Sequence, residues 1–108
     1  MDCEYHFALT QRAKQDVRQS VGYIRNELGN EKAAKILMND LDKCIERLCI
    51  FPESGKLVFD EYLPGVHVRR KIVGKYILFY QVLKEEKIVR ILRIVYGCRD
   101  MDEVFRHM

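Results

Sequence analysis

No stretch of this chain approaches the roughly 18 to 20 consecutive apolar residues that a bilayer-spanning helix needs, and a soluble protein is expected. The opening residues, MDCEYHFAL, start acidic and lack the basic start, apolar middle and small-residue cleavage site of a secretory signal. Cytoplasmic localisation is the corresponding expectation. Cysteines number only four, Cys3, Cys44, Cys49 and Cys98, with no Cys-x-x-Cys spacing of a zinc or redox site. They read as buried free thiols. A Gly-rich phosphate loop, a His-Glu-x-x-His pair and a Gly-x-Ser-x-Gly elbow are all missing. An ordinary metabolic enzyme is therefore disfavoured, and no metal or cofactor is expected.

What is present fits one domain. A length of 108 residues, 48% of them hydrophobic and 32% charged, supports one core and is too short for two, and residues 1–108 carry no repeat or linker. The net charge of +3 is sorted by position. Residues 66–99 hold nine Lys or Arg against two Glu, a net +7, leaving ten basic and fourteen acidic residues, a net −4, elsewhere. Such asymmetry points to an anionic partner for the basic half.

Periodicity divides the chain. Cys3, Tyr5, Phe7 and Leu9 alternate with Glu4, His6 and Ala8, which predicts a first strand with one buried face; His6, on the other face, reads as structural. Thr10 can then cap a helix whose inner stripe is Ala13, Val17, Val21, Ile24 and Leu28, stopped by Gly29. Asn30 caps a second helix with Ala33, Leu37, Leu41, Cys44 and Leu48 inward, widened by Ile36 and Ile45, and Pro52 breaks it. A junction of only Gly29 and Asn30 makes the two an antiparallel hairpin. The segment PESGKLVFDEYLPG reads as a loop.

After Gly65 the period becomes two. Val66, Val68 and Ile72 share one face of a second strand, with Arg70 as the odd member, and His67, Arg69 and Lys71 share the other. Gly74 and Lys75 turn the chain into YILFYQVL, apolar on both faces and hence central, and KEEK turns it into IVRILRIVY. Asp100 and Glu103 form a capping-box pair that starts a short terminal helix. The expected fold is α+β: an antiparallel helical hairpin packed on a mostly antiparallel four-stranded sheet, β-α-α-β-β-β, with a short C-terminal tail or helix. The hairpin needs one face of that sheet, so the cations of the second strand are expected on the other.

Chemistry concentrates in that basic half. Metal-free RNA cleavage requires a general base for the 2′-hydroxyl, cations for the phosphorane and an acid for the leaving oxygen. His67, Arg69, Lys71, Lys75, Arg93 and Arg99, with Tyr96 nearby, are the residues of suitable type; each alone is equally a solvated surface cation. Arg70 adds to the same patch.

The stretches AKQDVRQSVGYI, AAKILMNDLDKCIERLCIFPESG, VRRKIVGKYILFYQV and IVRILRIVYGCRDMDEVF, in this order and spacing, resemble the toxins of the RelE and ParE superfamily of bacterial type II toxin-antitoxin systems. The resemblance implies a cognate antitoxin as partner, operator DNA reached through that antitoxin, and no membrane. It also implies one of two targets. RelE-like members cut messenger RNA on the ribosome, and their basic strand and final arginine correspond to His67, Arg69 and Arg99; a nuclease reading would use these with Tyr96. This chain has Ile77 and Phe105 where such members have an arginine and a tyrosine, and Tyr96 lacks the preceding histidine of YoeB-like relatives. FPESG, KYILFYQV and RILRIVYGCRD are closer to the ParE branch, which poisons DNA gyrase. For that branch Arg69, Arg70, Lys71, Lys75, Arg93 and Arg99 are the target-binding candidates. An inactive homologue that only binds antitoxin and operator is a third possibility.

Overall fold

The structure, a computed structural model, describes residues 4–58 and 67–97; Cys3, Cys98, Arg99, Phe105 and the expected terminal helix lie outside them. Strand β1 (His6–Leu9) leads into helix α1 (Gln11–Gly22), which continues as a π-helical turn (Tyr23–Glu27). Helix α2 (Glu31–Ile50) follows, then a 3-10 turn (Pro52–Ser54) and the strands β2 (Lys56–Val58), β3 (Val68–Val73), β4 (Tyr76–Leu83) and β5 (Ile88–Tyr96). No helix among the described residues is long and apolar enough to cross a membrane.

Both helix starts are set by the expected caps. The Thr10 hydroxyl accepts the Ala13 amide at 3.1 Å, and the Asn30 side-chain carbonyl accepts the Ala33 amide at 3.0 Å, each satisfying a donor that the first helical turn leaves unpaired. Gly29 closes the first helix at a φ of +60°, where a side chain would strain the backbone. The stripe departs from expectation at two positions: Leu28 and Ile36 are exposed. The π-helical turn shifts Leu28 out of the 3.6-residue period that places it inward.

Among the described residues the sheet has five strands in the order β1-β5-β4-β3-β2, with β1 parallel to β5 and the other pairs antiparallel. The extra strand is β2, inside the stretch whose composition reads as loop. Its three residues pair with Val68–Arg70 and are too few to show a period. YILFYQVL is the central strand, as its two apolar faces require. Phe7, expected to be buried, is exposed because β1 is an edge strand that the helices do not fully cover.

One large core lies between hairpin and sheet, including Ala13, Leu41, Leu48, Leu78, Tyr80 and Ile91. A second, smaller cluster of Val68, Phe79 and Val95, with Val58, Ile77 and Leu92 packed against it, is drawn, among the described residues, from strands. Val73 joins the hairpin core while Val68 joins the second cluster. Period two therefore directs Arg69 and Lys71 to the hairpin side and Arg70 and Ile72 to the other. This reverses the expected placement of the cationic face. The alternation itself holds, but either parity satisfies it, and the choice is made by Val73.

Two polar contacts fix the layers. Beyond Leu9 the outer edge of β5 has lost its partner strand, and side chains take over. The Thr10 hydroxyl donates to the Leu92 carbonyl at 3.0 Å, and the Ile94 amide donates to Asp16 Oδ2 at 3.0 Å. The register between β4 and β5 jumps here, from Phe79 opposite Arg93 to Tyr80 opposite Ile91, leaving Leu92 as a bulged residue. Arg93 then meets the same carboxylate in a fork: Nε to Oδ2 at 2.7 Å and Nη2 to Oδ1 at 3.0 Å. Asp16 and Arg93 are 5% and 2% exposed.

At the opposite margin the Tyr80 hydroxyl donates to the Pro52 carbonyl and accepts the Gly55 amide, both at 2.8 Å. This explains FPESG and KYILFYQV together: the central strand sends one phenol under the turn that leaves α2. Gly55 has no room for a side chain, since a Cβ there would lie 2.8 Å from the Arg70 carbonyl oxygen and nearer still to the Tyr80 hydroxyl. Burial is the main reason that the Tyr80 hydroxyl is pushed above its ordinary range, with the Gly55 bond opposing.

Replacing Asp16 with Ala leaves Arg93 buried without a counterion and the Ile94 amide without an acceptor; by analogy with other broken buried pairs, the cost is expected to be about 3 to 5 kcal/mol. Denaturant unfolding of Asp16→Ala and of the double variant Asp16→Leu, Arg93→Met measures this, and the double variant is expected to recover much of the loss. Tyr80→Phe is expected to cost about 1 to 3 kcal/mol near neutral pH because it strands two backbone groups. The raised hydroxyl adds a sign: its contribution is full below the unfolded tyrosine value near 10 and is lost as pH rises through the folded value. The stability difference between wild type and Tyr80→Phe should therefore shrink above about pH 10, as read by denaturation at paired pH values.

Candidate functional site

Arg69 and Lys71 project from β3 on the hairpin side of the sheet, where long side chains can bury their stems and keep their charge in water. A cleft of about 530 Å³ is lined there by Glu53, Leu57, His67, Arg69, Lys84 and Glu85, among others. His67 and Arg69 do share this cleft, as their two-residue spacing predicts. Arg69 is partly committed to structure: its Nη1 donates to the Gly55 carbonyl at 2.8 Å and the Glu53 carbonyl at 3.1 Å. It clamps the same turn that Tyr80 holds.

Charge in this cleft is balanced. Lys84 Nζ lies 2.7 Å from Glu53 Oε1, and the hydrogen bond to Lys84, reinforced by its charge, holds the Glu53 carboxyl below its ordinary range. The same bond raises the Lys84 ammonium. Both therefore stay ionised through neutral pH and neutralise each other beside Arg69. With Glu85 also present, the cleft is a weak trap for a polyanion.

Lys71 belongs to a different groove, between α2 and β3, of about 330 Å³ and lined by Asp40, Lys43, Cys44, Arg47 and Lys71 among others. Burial pushes the Cys44 thiol up, with Lys71 and Arg47 opposing, so this thiol is not an activated nucleophile. It is half-buried against the core, as its place in the helical stripe predicts, and Cys49 is fully buried. Arg70 is half-buried on the other face of the sheet. The expected single basic patch is thus divided between two faces.

Lys75 and Tyr96 sit elsewhere again. Tyr96 packs edge-on against Tyr76, ring centroids 5.6 Å apart, beside a mainly apolar pocket of about 710 Å³ at the end of the hairpin, where Lys75 also lies. The register sets Tyr96 opposite Tyr76 and Tyr76 opposite Val73. His67 precedes Val73 by six residues, roughly 20 Å along an extended strand. Tyr96 and His67 are therefore at opposite ends of the sheet. Arg93 is not on the surface at all, being enclosed with Asp16. Its placement among exposed cations is corrected: an arginine inside an apolar run is buried here because a carboxylate meets it.

Among the described residues, then, Arg69 and His67 come together, while Tyr96, Arg70, Lys71 and Lys75 stand apart from them; Arg99 falls outside. Sequence reasoning missed Asp16 and Tyr80, although Asp16 carried a signal as an acid within the inner stripe of α1, three residues from Ala13.

No curated protein sequence matches the chain significantly. Solved structures do. The chromosomal ParDE toxin-antitoxin system of P. aeruginosa contains a chain similar to this one at 20% identity and a TM-score of 0.67, covering 88% of this chain and 98% of that one. The RelBE2 toxin-antitoxin complex of Mycobacterium tuberculosis contains another, at 24% identity and 0.60, covering 86% and 98%. The isolated RelE toxin of E. coli is similar at 20% identity and 0.55, covering 96% and 99%. These likenesses establish a shared fold. The family model for the ParE toxin of the type II toxin-antitoxin system parDE matches residues 7–101, spanning both fixing contacts of the fold, so this chain belongs to the ParE toxin family.

Proposed function

We propose that the chain is held inactive by a cognate antitoxin and, once released, arrests growth by acting on DNA gyrase and not by cutting messenger RNA. The carrying observation is the separation of His67 from Tyr96 by roughly 20 Å of strand. General acid-base cleavage needs both proton-transfer groups within hydrogen-bond reach of one phosphate. Charge balance in the His67 and Arg69 cleft supports the same reading, since Glu53 and Glu85 oppose a polyanion there. The family match supports the toxin role, and the ParDE and RelBE systems, which pair a toxin with an antitoxin, support an antitoxin as partner.

Induction of the chain without its antitoxin is expected to provoke a DNA damage response while transcripts stay intact, and the purified chain is expected to inhibit supercoiling by purified gyrase. Rapid cleavage of transcripts at ribosome-bound codons, with no DNA damage response, overturns the gyrase assignment and makes Arg69, Arg99 and Tyr96 or His67 the nuclease set. Unimpaired growth under strong induction of folded protein identifies an inactive homologue. Arg99→Lys and Arg99→Ala separate a forked contact from a charge: if Arg99 serves the target, both lose toxicity at unchanged melting temperature.

The partner is tested independently. A reading frame next to the gene is expected to encode a small acidic protein with a DNA-binding region. Replacing Lys71 and Lys75 with Ala is expected to slow association with that protein about tenfold at low ionic strength. The difference should vanish near 1 M salt, where the screening length is about 3 Å; stopped-flow association at both salt levels measures it.

A further inference from the structure

Helix α1 holds Arg12, Lys14 and Arg18 against one acid, Asp16, and that acid is enclosed with Arg93 of β5. The internal pair takes the helix's negative charge out of the surface and leaves its positive charge there. Elsewhere cations are answered by acids. Arg25 pairs with Glu31, Lys84 with Glu53 and Lys87 with Glu4, and the rest of α2 sets Lys32, Lys35, Lys43 and Arg47 beside Asp40, Asp42 and Glu46. Among the described residues no acid forms an ion pair with Arg12, Lys14 or Arg18.

The exposed positions of α1 form one continuous surface. At about 100° per residue, the order round the helix is Lys14, Arg18, Gln11, Gln15, Gln19 and Arg12, an arc of about 160°. All six are exposed, and the buried Ala13, Asp16 and Val21 lie on the other side. A ridge of three glutamines therefore runs along the centre, with Lys14 and Arg18 on one rim and Arg12 on the other. Thr10 and Asp16 hold the helix along the part of the β5 edge that β1 leaves open, so this surface stands at the flank of the sheet.

We propose that this face of α1 binds duplex DNA directly, a contact that needs neither the antitoxin nor gyrase. Its chemistry suits a phosphate backbone: the cations neutralise phosphates, and the uncharged amides donate to phosphate oxygens or base edges without opposing the charge. Dimensions agree. A helix with its side chains is about 10 to 12 Å across and the major groove is about 12 Å wide, so the two rims reach the two strands that border one groove. Other anionic partners fit less well. A membrane surface needs an apolar helical face to insert, and here Ala13, Val21 and Ile24 belong to the core. A protein partner is held chiefly by buried aromatic or apolar anchors, and single-stranded RNA by aromatic stacking; the arc offers neither.

Anisotropy of a labelled duplex of about 20 base pairs, titrated with the full chain alone between about 20 and about 150 mM salt, tests this. Each phosphate neutralised adds about 0.9 to the steepness of log affinity against log salt, so the variant Arg12→Gln, Lys14→Gln, Arg18→Gln is expected to lose about 2.7 of the wild-type slope. At the lowest salt it should bind at least about tenfold more weakly. A comparison variant, Lys35→Gln, Lys43→Gln, Lys56→Gln, removes the same charge from other exposed positions and is expected to bind as wild type does. Equal losses in the two variants mean an effect of net charge only and overturn the proposal, as does an absence of wild-type binding at the lowest salt. Tighter binding of single-stranded RNA of the same length overturns the assignment to duplex DNA. Glutamine forms helix about as well as Arg or Lys, so the α1 variant is expected to keep its fold. If circular dichroism shows that it does not, amide shifts of the wild-type chain on adding the duplex decide: changes centred on residues 11–19 support the proposal, and changes centred elsewhere overturn it.

Discussion

The carboxylate of Asp16 is the point on which the two layers of this protein depend. Strand β1 pairs only with the first part of β5, through Ile91, so the remaining edge of β5 must find hydrogen-bond partners elsewhere or lose them. Thr10 and Asp16 provide them from the segment that β1 hands on to α1. Because Asp16 also holds Arg93 in a fork, a single side chain fixes the register of α1 against the sheet, satisfies the backbone at a bulge and neutralises a buried guanidinium. A well-packed apolar substitute can match such a pair in free energy. It could not supply the acceptor that the Ile94 amide needs.

Tyr80 plays the corresponding part at the other margin. Its phenol stands on the central strand and closes the turn between α2 and β2, and Arg69, its cross-strand neighbour, clamps the same turn. The consequence bears on how basic sequences are interpreted. Of the cations between Val66 and Tyr96, Arg93 is enclosed, Arg69 is tied to backbone carbonyls and Lys84 is paired with Glu53. A strongly positive segment thus yields a surface much less positive than its formal charge.

Much of the fold is legible in the residues alone. Both caps, the left-handed Gly29, the hairpin and the three-strand meander follow from spacing and residue type, and each is observed. The misses have physical causes. Three residues of β2 cannot display a period. Period two in β3 fixes which residues travel together but not which face they take, and Arg70 blurs the one cue available. Arg93 reads as a surface cation because its burial depends on an acid 77 residues away in sequence, a relation that no local pattern records. The candidate site is the least legible part: residue types suited to phosphate chemistry are all present, and only the register shows that Tyr96 and His67 stand at opposite ends of the sheet.

The parallel pairing of β1 with β5 has a consequence for how the chain is made. Residues 6–9 find their strand partner in residues 88–91, so on a ribosome the first strand waits, unpaired, while some eighty residues are added. Helices form from local contacts long before that, whereas pairing between distant segments is slow because the intervening loop must first be closed. Asp16 waits equally long for Arg93. The sheet and its seam to α1 are therefore completed together and late, and a nascent chain interrupted before β5 has helices but no finished sheet to carry them. For a member of a toxin family, folding of this kind makes the completed sheet, and anything that depends on it, wait for β5.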